Sequence, residues 1–153
     1  MQPTADITEI FSSIQGEGIF LGARQIFVRF KDCNMNCAFC DEPRNLSSKQ
    51  YSPSELIDEI KRLEREKIPH HSISLTGGEP LLYTEFLSEF LKLLKEEGFK
   101  AYLETNGTLP EELAKVIDAI DIIAMDFKLP SATLVRGYWR EHEQFLKLAL
   151  KKK

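Results

Sequence analysis

Four times along the chain, a short run rich in β-branched or aromatic residues gives way to a polar or glycine-rich cluster, and then to a segment with apolar residues every three or four positions. That alternation is the grammar of a mainly parallel α/β sheet. The expected strands are Ile26 to Lys31, Ser72 to Leu75, Ala101 to Glu104 and Ile122 to Phe127. An earlier extended piece, Ile7 to Phe11, pairs with the first of them across a glycine-rich connection. The first helix opens at Ser52, with Pro53 in its first turn, Glu55 completing a capping box, and Leu56, Ile60 and Leu63 as its stripe; it runs to about Lys67. The second carries Phe86, Leu87, Phe90, Leu91 and Leu94 and stops at Gly98. The third is announced by Thr108, Pro110 and Glu111 and buries Leu113, Val116 and Ile120. The last spans Tyr138 to Leu150 and turns Trp139, Phe145, Leu146 and Ala149 to the core.

In such folds the carboxyl ends of parallel strands form the ligand-binding edge. The clusters that follow the strands are the cysteine segment, TGGEP, ETNGT and MDFK, and they are expected to converge on one site. The 153 residues, 42% of them hydrophobic, suffice for one core and are too few for two ordinary domains, so residues 1–153 are read as a single domain. A net charge of −4, from 20 Lys and Arg against 24 Asp and Glu, lacks the basic excess that phosphate-backbone binding demands, which argues against nucleic acid as a principal partner. No stretch approaches the about 18 apolar residues of a membrane span, and acids stand near the N-terminus where a signal peptide would carry bases. A cytoplasmic location and no membrane association are expected.

All three cysteines fall in one segment, Cys33-x3-Cys37-x2-Cys40. An odd count leaves no complete disulfide framework, and clustered thiolates are soft ligands for a common metal centre. Three thiolates are one short of a closed zinc or cubane site, and His70, His71 and His142 are not spaced to supply the fourth. An open iron–sulfur site satisfies the count directly; zinc needs a further ligand from elsewhere in the fold.

The cysteine spacing after a strand, with Gly77-Gly78-Glu79 at the end of the next, resembles the radical S-adenosylmethionine superfamily. That resemblance implies a 4Fe-4S cluster on Cys33, Cys37 and Cys40, whose open iron binds S-adenosylmethionine, and an electron transfer that releases a 5′-deoxyadenosyl radical. Within the superfamily the stretch from Glu9 to Gly18 (EIFSSIQGEG), then FVRF around Arg29, then CNMNC, is similar to the 7-carboxy-7-deazaguanine synthase family. The implied fold is a partial (β/α) barrel, shortened at its C-terminus. The implied reaction is the ring contraction of 6-carboxy-5,6,7,8-tetrahydropterin to 7-carboxy-7-deazaguanine with loss of ammonia. By the same resemblance Ile14, Gln15, Gly16 and Glu17 form the pterin-binding turn, Arg29 meets the substrate carboxylate, and Thr76 faces substrate. Gly78 and Glu79 contact the methionine moiety of the cofactor, and Glu104, Asn106, Asp126 and Lys128 complete its binding. Phe39 fits either a place against the adenine or a buried position under the loop. For the last four polar residues a purely structural pairing is the alternative: a buried Asp–Lys pair, or an Asn in a left-handed turn.

Two departures from the family pattern stand out. Where its members carry a threonine that ligates Mg2+, this chain has Asp41 followed by Glu42, which are hard-oxygen ligands able to take that role. Family members also continue past the fourth βα unit. An open sheet edge follows, and a homodimer is the expected cover for it. A low-potential, flavodoxin-like electron donor is the other partner that the resemblance implies. Two further readings compete: a glycyl-radical-enzyme activase, which leaves QGEG and Arg29 without a role, and an inactive cluster- or zinc-binding interaction module. His70, His71 and His142 are read as structural.

Overall fold

The structure, a computed structural model, describes residues 2–40, 46–65 and 68–152. Its centre is a sheet of six strands: β1 (Ala5–Ile14), β2 (Arg24–Phe30), β3 (Lys49–Tyr51), β4 (Ser72–Gly77), β5 (Ala101–Thr105) and β6 (Ile122–Met125). The spatial order is β3-β1-β2-β4-β5-β6. Strands β2, β4, β5 and β6 run parallel and are the four expected from sequence, while β1 and β3 extend the sheet antiparallel beyond β2. The pairing of β1 with β2 follows expectation, though β1 is twice the expected length. The short strand β3 carries no run of β-branched residues, and sequence reading misses it. The last strand ends at Met125, so Asp126 and Phe127, expected within it, lie just past its carboxyl end.

Helices α1 (Pro53–Glu64), α2 (Thr84–Glu96), α3 (Pro110–Val116) and α5 (Trp139–Ala149) follow β3, β4, β5 and β6; a single turn, α4 (Pro130–Thr133), precedes α5. The Ser52 and Glu55 side chains close the expected capping box, with Ser52 N donating to Glu55 Oε2 at 2.8 Å and Glu55 N donating to Ser52 Oγ at 3.4 Å. The helix ends at Glu64, and the expected limit at Lys67 lies outside the described residues. Beyond it, His70 takes Glu64 Oε2 on Nδ1 at 2.5 Å and Ser12 Oγ on Nε2 at 2.7 Å, which pins the end of α1 to β1. Gly98, at φ +80°, stops α2.

Register explains why the helices occupy one side. Ile26, Val28 and Phe30 of β2 stand beside Ile73 and Leu75 of β4, which stand beside Ala101 and Leu103 of β5. All are buried, and they form one continuous core with Leu56, Ile60, Phe86, Phe90, Leu113 and Phe145 from the helices. Successive residues of a strand point to opposite faces. The opposite face is therefore made of the intervening residues: Gln25, Phe27 and Arg29, Ser72, Ser74 and Thr76, Tyr102 and Glu104. A parallel sheet normally buries both faces and reads as continuous apolar runs. Here every second residue of β4 is a small hydroxyl, and that face is kept for polar chemistry.

The last helix corrects one expectation. Phe145 is fully buried, but Trp139 is 60% exposed, and the position nearest the core in the preceding turns is His142. The indole sits in the first turn of α5 and folds back on the loop, where a Cβ at Gly137 would lie 2.7 Å from its Nε1. Among the described residues no helix is long and apolar enough to cross a membrane. Phe145→Ala should therefore lower the unfolding free energy by about 3–5 kcal/mol, and Trp139→Ala by no more than about 0.5 kcal/mol, in urea titrations followed by far-UV circular dichroism.

Candidate functional site

Glu104, at the carboxyl end of β5, organises the polar face. Its Oε1 accepts from Gln15 Nε2 and from Ser74 Oγ, each at 2.8 Å, and its Oε2 accepts from Thr76 Oγ1 at 2.7 Å. Gln15 Nε2 is shared with Gln25 Oε1 at 3.0 Å, and Gln25 Nε2 donates to Ser72 Oγ at 2.8 Å. The result is a polar ladder across β2, β4 and β5. Gln15 reaches it because residues 15–23 close into a loop, with Gln15 N donating to Ala23 O and Gly22 N to Gln15 O, both at 2.8 Å. That loop folds over one end of the face, with Phe20 packing on His71 at 4.8 Å and edge-on to Tyr102 at 6.0 Å. Burial pushes the Tyr102 hydroxyl above its ordinary range, and the Glu104 and Glu17 carboxylates add to the effect. The other end, with Arg29, Thr76 and Glu104, keeps access to solvent.

Glu104 thus stands with Gln15 and Thr76, the residues assigned to substrate, although the family resemblance places it among the cofactor contacts. Of the turn Ile14-Gln15-Gly16, Gln15 alone brings a side chain to this network. Ile14 shares the register of Arg24, on the opposite face from Gln25, and is exposed. Glu17 is exposed and is held by its backbone N donating to Gln15 Oε1 at 3.2 Å. Arg29 lies on the same face as Thr76, its Nε 3.2 Å from Glu9 Oε2 and its guanidinium over the Phe11 ring at 5.6 Å.

The cysteine segment is fixed where it leaves β2. Gly78 N donates to Phe30 O at 2.8 Å and Glu79 N to Asp32 O at 2.7 Å, so β4 and the start of the loop run in direct backbone contact. A Cβ on Gly78 would fall 2.1 Å from Asp32 O, and one on Gly77, at φ +98°, 2.6 Å from Phe30 O. At both positions the space a Cβ would take is filled by the chain's own backbone, which only glycine allows. Glu79 likewise turns inward. It is wholly buried, its Oε1 accepting from Leu81 N at 3.1 Å and Thr105 Oγ1 at 2.9 Å, and its Oε2 from Asn106 N at 2.8 Å. Burial pushes its carboxyl above the ordinary range against the pull of those three donors. Asn106 is also buried, its amide engaged by Asn34 and Thr108 and its carbonyl accepting from His142 Nε2 at 3.0 Å.

Cys37 is buried, Cys33 and Cys40 keep surface, and none of the three forms a disulfide. Partial desolvation nonetheless pushes the Cys33 thiol up, with a backbone hydrogen bond at Met35 opposing it and Glu79, Cys37 and Cys40 adding to it. Burial would push the Lys128 ammonium down, but Asp126, in direct contact, and the thiols of Cys37 and Cys33 hold it above the ordinary lysine range. Lys128 also sits 5.3 Å over the Phe39 ring, which is 54% exposed, so Phe39 is not a buried aromatic beneath the loop. The Asp126 side chain is exposed as well, which removes the alternative of a buried Asp–Lys pair. Among the described residues no three His, Cys, Asp or Glu side chains stand gathered as a ready-made single-ion site. Asp41 and Glu42, the expected Mg2+ ligands, lie outside the described residues. Three thiols on one loop at the carboxyl edge of the sheet are a donor set that fits a three-cysteine cluster. Sequence reading missed Gln25, Ser72, Ser74, Asn34 and Thr108. For the serines, the signal was the period-two alternation of SISLT.

Comparison with known proteins places the chain in a family. The Radical SAM superfamily model matches residues 27–152. The 7-carboxy-7-deazaguanine synthase of Geobacter sulfurreducens is 38% identical over 167 residues, spanning 97% of this chain and 66% of the relative. That of Methanothermobacter thermautotrophicus is 44% identical over 128 residues, spanning 82% and 50%. The chain thus spans between half and two thirds of the length of these relatives. Among solved structures, QueE from Escherichia coli shares the fold at a TM-score of 0.62 and 23% identity, over 96% of this chain and 78% of that one.

The buried carboxyl of Glu79 makes a prediction about pH. Its folded value is raised above the ordinary 4.5, so the stability tied to its protonated form is complete below that value and is lost as pH rises through the folded one. Urea titrations of wild type and Glu79→Gln should show the wild-type stability falling relative to the variant as pH rises above 4.5. A difference that stays flat or grows would contradict the burial of an ionisable group at this position.

Proposed function

The chain belongs to the radical S-adenosylmethionine superfamily, and on that basis we propose that it is a lyase of the 7-carboxy-7-deazaguanine synthase type, turning 6-carboxy-5,6,7,8-tetrahydropterin into 7-carboxy-7-deazaguanine and ammonia. The observation that carries the reading is the Gln15–Glu104–Thr76 network on the sheet face that also presents Arg29. A pterin offers an amino group, a ring amide and a carboxylate. A glutamine, an oriented glutamate and an arginine are their hydrogen-bonding complements. A glycyl-radical activase, which acts on a protein backbone, would have no need of this set.

In this reading Cys33, Cys37 and Cys40 hold the 4Fe-4S cluster. With S-adenosylmethionine bound, the cluster supplies the hydrogen-abstracting radical. The chain's own residues do the rest. Arg29 fixes the carboxylate end of the substrate, where its planar fork matches two oxygens. Glu104, held by three donors, keeps its carboxylate at a fixed angle toward the amino and amide edge, and Gln15, its amide committed to Glu104 and Gln25, offers its carbonyl to the same edge. The Phe20 loop keeps water from one end of the face, which protects a radical from quenching. Lys128 and Phe39, stacked beside the thiols, are placed to meet the anionic and adenine parts of the cofactor. Mg2+ held by Asp41 and Glu42, directly after Cys40, belongs to the same proposal, since two hard carboxylates suit that ion.

A homodimer, a flavodoxin-like reductant and a cytoplasmic location complete the proposal. The dimer is supported by the open β6 edge and by the exposed Phe127, Leu129, Leu134 and Trp139 in the segment that follows it. Light scattering that reports a monomer would remove it.

Anaerobic turnover of the reconstituted protein with S-adenosylmethionine, a low-potential reductant, Mg2+ and the tetrahydropterin, read by mass, should give 7-carboxy-7-deazaguanine, and Cys37→Ala should give none. Arg29→Lys should raise KM for the pterin about 10- to 100-fold, the value of a hydrogen-bonded charge, with a smaller change in kcat. Deoxyadenosine without product would refute the substrate and leave the superfamily chemistry standing.

A further inference from the structure

The loop behind Cys33 is held by side chains in a way that neither the sequence nor the family comparison accounts for. Asn34 Nδ2 donates to Thr108 Oγ1 at 2.9 Å, Thr108 Oγ1 donates to Asn106 Oδ1 at 2.6 Å, and Asn106 Nδ2 donates to Asn34 Oδ1 at 2.9 Å. The three side chains close a ring in which every donor arrow runs the same way round, so each bond polarises the next. The direction of the arrows also fixes both amide orientations, since a flip of either would set donor against donor. Thr108 N, donating to Asn106 Oδ1 at 3.0 Å, holds the ring in place from below.

The ring's surroundings are as specific as its members. Asn34 is next to Cys33 in the chain. Between Asp32 and Cys37, the side chain of Asn34 supplies the hydrogen bonds to another element among the described residues; the neighbouring anchors are Asp32 O to Glu79 N and Ala38 N to Thr133 O. Asn106 carries the ring's other connections, through its N–H to the buried Glu79 and its carbonyl to His142 of α5. Because a carbonyl only accepts, His142 donates through Nε2, and its Nδ1 is buried without a hydrogen-bond partner.

We propose that Asn34, Asn106 and Thr108 are positioning residues for the thiol loop: the ring sets where Cys33 stands relative to β5, and through His142 it ties that placement to the C-terminal helix. The inference rests on the assignment of the cysteines as cluster ligands, but not on the identity of the substrate. It also changes the role of Asn106, whose amide serves the loop as well as any cofactor.

Thr108→Val tests it, because the substitution keeps the shape, removes the hydroxyl and touches no thiol; Thr108→Ser restores the hydroxyl. In the apo-protein, alkylation of Cys33 by iodoacetamide, followed by peptide mass, should accelerate about 3- to 10-fold in Thr108→Val, what loss of a net hydrogen bond is worth, and stay within about twofold in Thr108→Ser. In the reconstituted protein, the electron paramagnetic resonance spectrum of the reduced cluster should broaden in Thr108→Val, lose its response to S-adenosylmethionine, and recover in Thr108→Ser. Wild-type labelling and spectra in Thr108→Val, or a Thr108→Ser variant as defective as Thr108→Val, would overturn the proposal. Should Thr108→Val fail to fold, Asn34→Ala, at an exposed loop position, decides by the same labelling. A wild-type protein that assembles no cluster would refute the proposed function, and the labelling result would still decide whether the ring positions the loop.

Discussion

A parallel sheet that surrenders one of its faces is the constraint from which the rest of this structure follows. Crossover helices normally cover both faces, because each parallel strand needs a long connection and the connections need somewhere to pack. Here the apolar residues of β2, β4 and β5 fall in one register and draw all four major helices to one side. The other register carries Gln25, Arg29, Ser72, Ser74, Thr76 and Glu104, whose polar atoms would lose about 1–3 kcal/mol each if buried without partners. They are therefore either bonded to one another or left facing a space that a polar ligand can enter, and the strand-end clusters open onto the rim of that space.

The rim itself is held from behind. Glu79 extends from the end of β4 and its carboxylate meets Leu81 N, Thr105 Oγ1 and Asn106 N, fastening β4 to the end of β5. Enclosing a carboxylate costs several kcal/mol after relaxation, and the three donors reduce that cost without cancelling it, which is why the carboxyl stays above its ordinary range. Removing one donor would leave the remainder under-compensated, so the side chains around Glu79 are interdependent. Gly78 belongs to the same fastening: its lack of a Cβ lets β4 touch the Asp32 carbonyl, and the cysteine loop then starts from a fixed point.

What could be read from the sequence is what depends on local rules. The Ser52–Glu55 cap, the Gly98 stop and the four strand segments are set by residues within a few positions of one another, and all stand as expected. What escaped depends on pairing across the sheet. Ser72 and Ser74 were read as members of a buried strand, which they are, but which face they serve is decided by β2 and β5 on either side. The family resemblance groups Glu104 with Asn106 as cofactor contacts, whereas in the structure their side chains serve different networks. Two positions apart, they would share a face on a continuing strand; β5 ends at Thr105, so Glu104 stays on the polar face while Asn106 turns beneath the rim. Trp139 was assigned to the core by its hydrophobicity, whereas its place in the first turn of α5 leaves it in solvent and gives the inner position to His142.

The same alternation bears on how binding is prepared. Glu104 is oriented by Gln15, Ser74 and Thr76, groups that the fold itself supplies, so the entropy of ordering its carboxylate is spent in folding. A ligand that needs an acceptor finds one in place; a ligand that needs a donor must first take Gln15 or Thr76 from Glu104, leaving a half-buried carboxylate short of a partner. The face therefore discriminates by polarity as well as by shape. In the proposed function this suits a molecule that presents N–H groups to Glu104 and a carboxylate to Arg29 over one with the two reversed. Because Gln15 is delivered by the loop of residues 15–23, whereas Glu104 and Thr76 are delivered by strands, the selectivity rests on a joint between a rigid element and an adjustable one.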